Sequence, residues 1–542
     1  MKTYLTSAFL LLIGPQLFAQ YYFKKFDVNP GTASSNPSDF VSYESTLLCR
    51  ATGASPQNVY SISNSNISPV SDLMTNAIYQ TTKISGFIPV INGKKILIGN
   101  DAATGYEIWT SDGTQAGTSL LKDINPGTAS GIKYNDGMFT MLNNKVYFAA
   151  DDGVNGTELW VSDGTTAGTF MLKDINNYST ASSYPLCITA LNNKIIFSAL
   201  DNAGNGKELW VSDGTAGGTM MLKDIFSGQS SSNIFTIIPL GNNVLLGASS
   251  VNEGTELWIS DGTPAGTKLL KDIYPGIGSS LISLNGQTMN GKFYFSARDA
   301  DGDYMWVTDG TSAGTVPLTK GKAKFANNSP IIRYNNKIYF SGYDDTHGSE
   351  LWATDGTAAG TTMVKEIFPD NTLQTSPASF AIFDGRLYFT AFDYKRKLFR
   401  TDGTAAGTES LEPTGALYTK SHLQSSLQLF VHNRALYFLA EYDDSGKELW
   451  ALTPFPESIE NTNTNNGIAL YPNPSHNNFT IKTTTTFKTG HVTLIDLTGR
   501  VVKTQKLNTN IETISIEGIA PGIYIADVWL DDKRSTQKLV VE

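Results

Sequence analysis

Glu158-Leu159-Trp160-Val161-Ser162-Asp163-Gly164-Thr165, followed by Gly168-Thr169 and Leu172-Lys173-Asp174-Ile175, is the stretch whose reading decides the fold. The same octet returns at 208–215 and, with Ile for Val, at 256–263, each time with a Gly-Thr pair three residues further on. Its aromatic position is filled by Trp109, Trp160, Trp210, Trp258, Trp306, Trp352, Phe399 and Trp450, at steps of 51, 50, 48, 48, 46, 47 and 51 residues. A regular period in this range marks a repeat architecture.

Inside each step the pattern has period two. Lys145-Val146-Tyr147-Phe148-Ala149-Ala150 is entered through Asn143-Asn144, and Ile195–Ser198, Phe293–Ser296, Ile338–Ser341 and Leu387–Thr390 are its equivalents. Such β-branched and aromatic runs, bounded by Asn, Gly and Asp, predict strands joined by tight turns. The Glu-Leu-Trp run is a second strand, Asp-Gly-Thr turns the chain, and Met171–Ile175 is a third; a weaker fourth precedes the Asn-Asn turn. No helix is signalled. Four strands in about 48 residues match a propeller blade.

A lone blade leaves both faces and an edge bare, so blades must stack into a ring that closes. Glu448-Leu449-Trp450 runs into Ala451-Leu452-Thr453-Pro454 with no Asp-Gly-Thr turn. At the other end, Asp27–Ser34 nearly repeats Asp123–Ser130. Residues of about 22–28 are therefore expected to pair with the sheet of Leu449 and Trp450. A degenerate unit through Leu47-Leu48-Cys49 and Asn58-Val59-Tyr60 raises the count from eight to nine, and eight or nine blades both stand. The expected fold class is all-β: a large propeller of four-stranded blades closed by the N-terminal strand, then a small β-sandwich.

Lys2, the apolar run Ala8–Ile13 and Leu17-Phe18-Ala19 read as a signal peptide over 1–19. That run is far shorter than the ~20 residues of a membrane span. The chain of 542 residues is 40% hydrophobic and only 17% charged, with 49 Gly, a mixture that suits strands and turns. Its net charge of −10 forms no runs and no basic patch, which argues against nucleic acid. Cys49 and Cys187 each sit in an apolar run and are expected as buried free thiols, with a disulfide requiring the fold to join them.

The repeat, over roughly 22–453, resembles the bacterial proteins with Glu-Leu-Trp-x-x-Asp-Gly-Thr (ELWxxDGT) repeats. That group carries no single activity, so the resemblance implies architecture. Residues 454–466 are polar, lack aromatics after Phe455 and read as a linker. Beyond them, Leu470-Tyr471-Pro472-Asn473-Pro474, Asp496-Leu497-Thr498-Gly499-Arg500-Val501-Val502, Pro521-Gly522-Ile523-Tyr524 and Lys538-Leu539-Val540-Val541 come in order. This tail, 467–542, resembles the type A C-terminal sorting domain of the type IX secretion system of Bacteroidetes. The resemblance assigns the sorting signal to Pro472, Asn473, Pro474, Asp496, Gly499, Arg500, Gly522 and Tyr524. It implies the type IX machinery and a sortase as partners, passage through the periplasm, and a protein secreted or held at the outer-membrane cell surface.

The repeated Asp112, Asp163, Asp213, Asp261, Asp309, Asp355 and Asp402 suit local turn bonds, since Asp and Thr favour them and Gly supplies positive φ. Asp299, Asp301 and Asp303 are a candidate calcium cluster, with Asp344-Asp345 and Asp443-Asp444 in related loops. EF-hand spacing is absent, and a solvated acidic turn is the competing reading. No other cofactor is implied. Five scattered histidines show no metal spacing, and no nucleophile or phosphate-loop motif is present, so no catalytic residue is assigned. Near-equivalent units favour a surface binding, adhesion or structural module with an unknown extracellular ligand. The alternative is a propeller hydrolase or lyase acting on an extracellular polysaccharide or protein.

Overall fold

The computed structural model describes residues 21–26, 34–43, 46–51, 59–63, 66–70, 77, 88–132, 139–281, 284–325, 329–368, 375–412, 422–423, 429–442, 444, 446–454, 468–484, 486–496, 501–531 and 533–541. The signal segment, Asp27–Ala33, residues 455–466 of the linker, Asp443, Gly499 and Arg500 lie outside them, whereas Pro454 ends a strand.

Among the described residues the strands form eleven antiparallel sheets, nine between Tyr21 and Pro454 and two between Ile468 and Val541. In chain order, the first sheet starts at Ser38 and the ninth ends at Pro454. The third shows the common plan. Thr140–Leu142, Lys145–Asp151, Thr157–Ser162 and Phe170–Lys173 lie side by side in sequence order. Asn143 and Asn144 both take positive φ, 51° and 56°, as a two-residue hairpin matched to strand twist requires. Phe148 pairs with Trp160, and the ladder to the fourth strand shifts register between Leu159 and Trp160. The same shift recurs at Leu209/Trp210, Leu257/Trp258 and Leu351/Trp352.

Successive sheets share their cores. Trp160 packs with Ile96, Ile98 and Ile108 of the second sheet, Trp210 with Tyr147, Leu159 and Val161 of the third, and Trp258 with Ile196, Leu209 and Val211 of the fourth. Trp306, Trp352, Phe399 and Trp450 each join the core of the preceding sheet likewise. All eight repeat aromatics are buried, between 2% and 8% exposed. Tyr60, in the first sheet, fills the aromatic position against Tyr437, Leu449 and Ala451 of the ninth.

The ninth sheet is built from both ends of this region. Tyr21–Phe26 pairs antiparallel with Glu448–Pro454, from Tyr21 opposite Pro454 to Phe26 opposite Leu449. Its order is Tyr21–Phe26, Glu448–Pro454, Ala435–Glu441, with His422–Leu423 and Phe430–His432 on the last strand. Cys49 and Cys187 are both free; Cys49 is buried, whereas Cys187 is only half-buried, on left-handed backbone at φ 56°.

Residues 468–541 fold as two sheets. Ile468–Tyr471, Asn478–Thr483 and Ile511–Ser515 form one, and Val501–Leu507, Gly490–Asp496, Gly522–Leu530 and Lys533–Val541 the other. Phe479, Ile481 and Ile514 of the first meet Val492, Leu494, Ala526, Val528 and Leu539 of the second in one core. Alternation along Asn478–Thr483 puts every second side chain there, as half-buried strands do.

Candidate functional site

The turn after the Trp strand is held by side chains of the repeat itself. Asp163 Oδ1 accepts from Thr165 N at 2.9 Å and from Thr165 Oγ1 at 2.7 Å. Thr165 Oγ1 in turn accepts from Gly168 N at 2.9 Å, and Thr169 Oγ1 donates to Thr165 O at 2.7 Å. Ser162 Oγ accepts from Gly164 N and lies 2.7 Å from Thr169 Oγ1. A Cβ at Gly168 would lie 2.0 Å from Asp163 Oδ1, so a side chain there would displace the Asp163 carboxylate from its turn. Asp112, Asp213, Asp261, Asp309, Asp355 and Asp402 make the same bonds. These hydrogen bonds hold the Asp163 carboxyl below its ordinary value, with Thr165 the leading cause.

The glutamate of Glu-Leu-Trp has a second internal task, which sequence reasoning missed. Glu107, Glu158, Glu208, Glu256, Glu350 and Glu448 are fully buried. Glu158 accepts from Ile175 N at 2.9 Å, Ser183 N at 2.9 Å and Ser183 Oγ at 2.6 Å, pinning the loop that leaves the fourth strand. Glu107 and Glu208 hold their loops through Ile124 and Gly131, and through Ile225 and Ser232. Glu448 reaches Ser35, 413 residues earlier, at 3.1 Å to the backbone N and 2.6 Å to Oγ. Burial pushes the Glu158 and Glu208 carboxyls up to about 7, against the opposite pull of these donors. The available signal was a charge repeated inside an otherwise apolar strand, where an unpaired carboxylate is very costly.

Asp299, Asp301 and Asp303 come together with two cations of the chain. Lys320 Nζ lies 2.7 Å from Asp299 and 2.6 Å from Asp301, and Arg298 makes a two-pronged contact with Asp303 at 2.9 and 2.7 Å. The carboxylates the sequence proposes for calcium are thus neutralised within the sixth unit. Among the described residues, no three His, Cys, Asp or Glu side chains converge as metal ligands.

In the tail, motifs far apart in sequence meet at one end of the four-stranded sheet. Asp496 pairs with Tyr524, Tyr524 with Leu539, and Gly522 with Val541. Val540 N donates to Asn473 Oδ1 at 2.8 Å, Asn473 Nδ2 donates to Lys538 O, and Ser475 N donates to Val540 O at 2.8 Å. Tyr524 is buried and donates to Ala520 O at 2.6 Å, while Tyr471, Pro472, Asn473, Pro474 and Gly522 are exposed. The peptides before Pro472 and Pro474 are cis.

Residues 469–542 match the family model described as the secretion system C-terminal sorting domain. This segment is a type IX sorting domain: it suggests export by that system, implies contact with its machinery, and points to secretion and cell-surface localisation. No curated protein matches the chain. Among solved structures, it is similar to a puromycin hydrolase, at 12% identity over 65% of this chain and 58% of that one (TM-score 0.33). A puromycin-hydrolysing peptidase of Mycobacterium tuberculosis matches at 10% identity over 68% and 60% (TM-score 0.34). An extracellular domain from B. thetaiotaomicron matches at 9% identity over 97% and 98% (TM-score 0.25). The match spans under two thirds of the length of either hydrolase. Among the described residues, no helix is long and apolar enough to cross a membrane.

Proposed function

We propose that residues 20–453 form a closed, nine-unit β-propeller that serves as a binding or structural module at the cell surface, and that 467–542 deliver it there after a signal peptide over 1–19 has started export. The observation that carries the functional reading is the use of the repeated polar residues. Glu158, Asp163, Thr165 and their equivalents spend their hydrogen bonds on the backbone of their own unit. The repeat is thus a folding code, and the loops between units are what differs and what a ligand would meet.

Ring closure is supported by the pairing of Tyr21–Phe26 with Glu448–Pro454 and by the core shared between the ninth and first sheets. The contact of Ser35 with Glu448 repeats, across the chain ends, the contact of Ser183 with Glu158. Exposed Pro472-Asn473-Pro474, tied to the last strand, is the part of the sorting signal we assign to recognition by the secretion machinery. Deleting 467–542 is expected to leave a folded repeat region in the periplasm, seen by cell fractionation. Normal surface display of the truncated chain would overturn the delivery role.

A further inference from the structure

The loop that leaves each unit lies against the hairpin between the second and third strands of the next. Asp151 N donates to Gly131 O at 2.8 Å, and Leu200, Ser249 and Phe392 make the same bond to Ser183, Ser232 and Thr375 in later units. On the loop side, Asn125 N bonds the buried glutamate of its unit, as do Asn176 N, Phe226 N, Tyr274 N and Phe368 N in theirs. Three of these four sister positions are aromatic, and Phe368 packs edge-on against Tyr394 of the next hairpin, with ring centroids 4.7 Å apart. The fourth, Asn176, turns back on its own loop, its amide donating to Ser182 O at 3.1 Å. Asn125 instead meets a glycine of the next hairpin: a Cβ on Gly153 would lie 2.6 Å from Asn125 Oδ1.

These small side chains leave the cleft between the second and third units open, as a cavity of about 330 Å³ lined by Asn125, Ser130, Asp151, Gly153, Gly156 and Thr180. Small-molecule sites begin at about that size. The backbone donors around it are already used: Gly131 N bonds Glu107, Gly153 N bonds Asp151 and Thr157 N bonds Ser182 Oγ. Short side chains are what remain. Among the described residues, the Asn125 amide and the Thr180 hydroxyl make no hydrogen bond. Ser130 Oγ accepts from Tyr106 N at 3.0 Å and keeps its own hydrogen to donate. The lining carries one carboxylate and no cation. Tyr178, in the same loop as Thr180, is 74% exposed.

We propose that this cleft binds one sugar residue of a neutral extracellular glycan, an inference that rests on the reading of the repeat region as a surface binding module. Sugar hydroxyls both donate and accept, as do the unspent amide and hydroxyls of Asn125, Thr180 and Ser130. The Asp151 carboxylate takes a further hydroxyl donor in a charge-assisted bond. With no cation in the lining, it also turns away phosphate, sulfate and uronate groups. The exposed ring of Tyr178 offers a flat apolar surface to the C–H face of a pyranose. Phe226, Tyr274 and Phe368 replace the Asn125 amide by a ring in later units, so one site per chain is expected.

Isothermal titration of the full chain with cellohexaose, maltohexaose, xylohexaose and mannohexaose, and with oligogalacturonate as the acidic control, is the test. At least one neutral oligomer is expected to bind, at one site per chain, and the acidic one not to bind. Asn125→Phe and Asp151→Leu install the residues of sister units, and each should weaken that binding about tenfold, the effect of one lost hydrogen bond. Tyr178→Ala should weaken it about threefold. Tyr394→Ala, equally exposed but in the eighth unit, is the control and leaves the affinity unchanged. No binding of any neutral oligomer overturns the inference, as does tighter binding of the acidic one or a fall in Tyr394→Ala. Undiminished affinity in folded Asn125→Phe and Asp151→Leu overturns the cleft while leaving a surface binding module in place. Should both cleft variants misfold, Tyr178→Ala decides alone: an unchanged affinity overturns the inference. Surface display is read separately by fractionation, so the failure of either reading is seen without the other.

Discussion

The repeat region and the sorting domain both carry signature motifs, but they use them in opposite ways. Glu158 and Trp160 are buried, and Asp163 closes a turn of its own unit. Pro472, Asn473 and Pro474 stand exposed, held against Lys538–Val540 by the Asn473 side chain and the backbone of Ser475. A motif repeated around a fold and spent on its own backbone reports how the chain folds. A single-copy motif fixed in place at the surface suits reading by another molecule.

The contrast can be broken at several strengths. Removing residues 21–26 takes the partner strand from Glu448–Pro454, and the bare edge is expected to drive the chain into aggregates on size-exclusion chromatography. Trp210→Ala should cost about 3–5 kcal/mol in urea unfolding, since it opens a cavity between the third and fourth sheets. Glu208→Ala leaves the N–H of Ile225 without its acceptor and that of Ser232 with Lys207 O alone, and should cost about 2 kcal/mol. Asp213→Ala, in an exposed turn, should cost about 1 kcal/mol. Asn473→Ala is expected to move stability least, by about 0.5 kcal/mol, yet to lower surface display in fractionation. Full display of that variant would remove the contrast.

The buried glutamates add a pH dependence. The folded-state carboxyls of Glu107, Glu158, Glu208, Glu256 and Glu350 sit at about 7, above the ordinary value of about 4.5. A raised acid favours the folded state while protonated, so this contribution is complete below about pH 4.5 and is lost as pH rises through about 7. The turn aspartates, held below their ordinary value, act in the opposite sense and lose theirs in acid. Thermal unfolding across pH should therefore show this contribution falling as pH rises from about 4.5 to about 7, and Glu208→Gln should flatten that fall. An unchanged slope between about pH 4.5 and 7 in Glu208→Gln would count against the buried-charge account.

Much of this was legible from Glu158–Thr165, because strand alternation and turn chemistry are local. The pairing of 21–26 with 448–454 could also be read, from an unfinished unit at one end and an orphan strand at the other. The loop-anchoring role of Glu158 was not, since its partners Ile175 and Ser183 lie 17 and 25 residues away and donate through the backbone, which leaves no mark in sequence. Asp299–Asp303 drew attention by their density, whereas the informative residue was Lys320, a cation at a position where sister units carry an acid. Only the register at the strand exit makes that exchange visible. In the tail, the motifs could be named, but their meeting through Asn473 and Val540 required the sheet.

The strand Tyr21–Phe26 is made first and paired last. Its partner begins at Glu448, so more than 400 residues must emerge before the ladder can form. At about 5–20 residues per second, that is a delay on the order of half a minute. Throughout it the segment Tyr-Tyr-Phe-Lys-Lys-Phe is an aromatic strand with no neighbour. Lys24 and Lys25 sit in its middle, and charge on an unpaired strand is how proteins discourage pairing with strangers. Two lysines at the centre suit a strand whose only pairing lies more than 400 residues further along the chain.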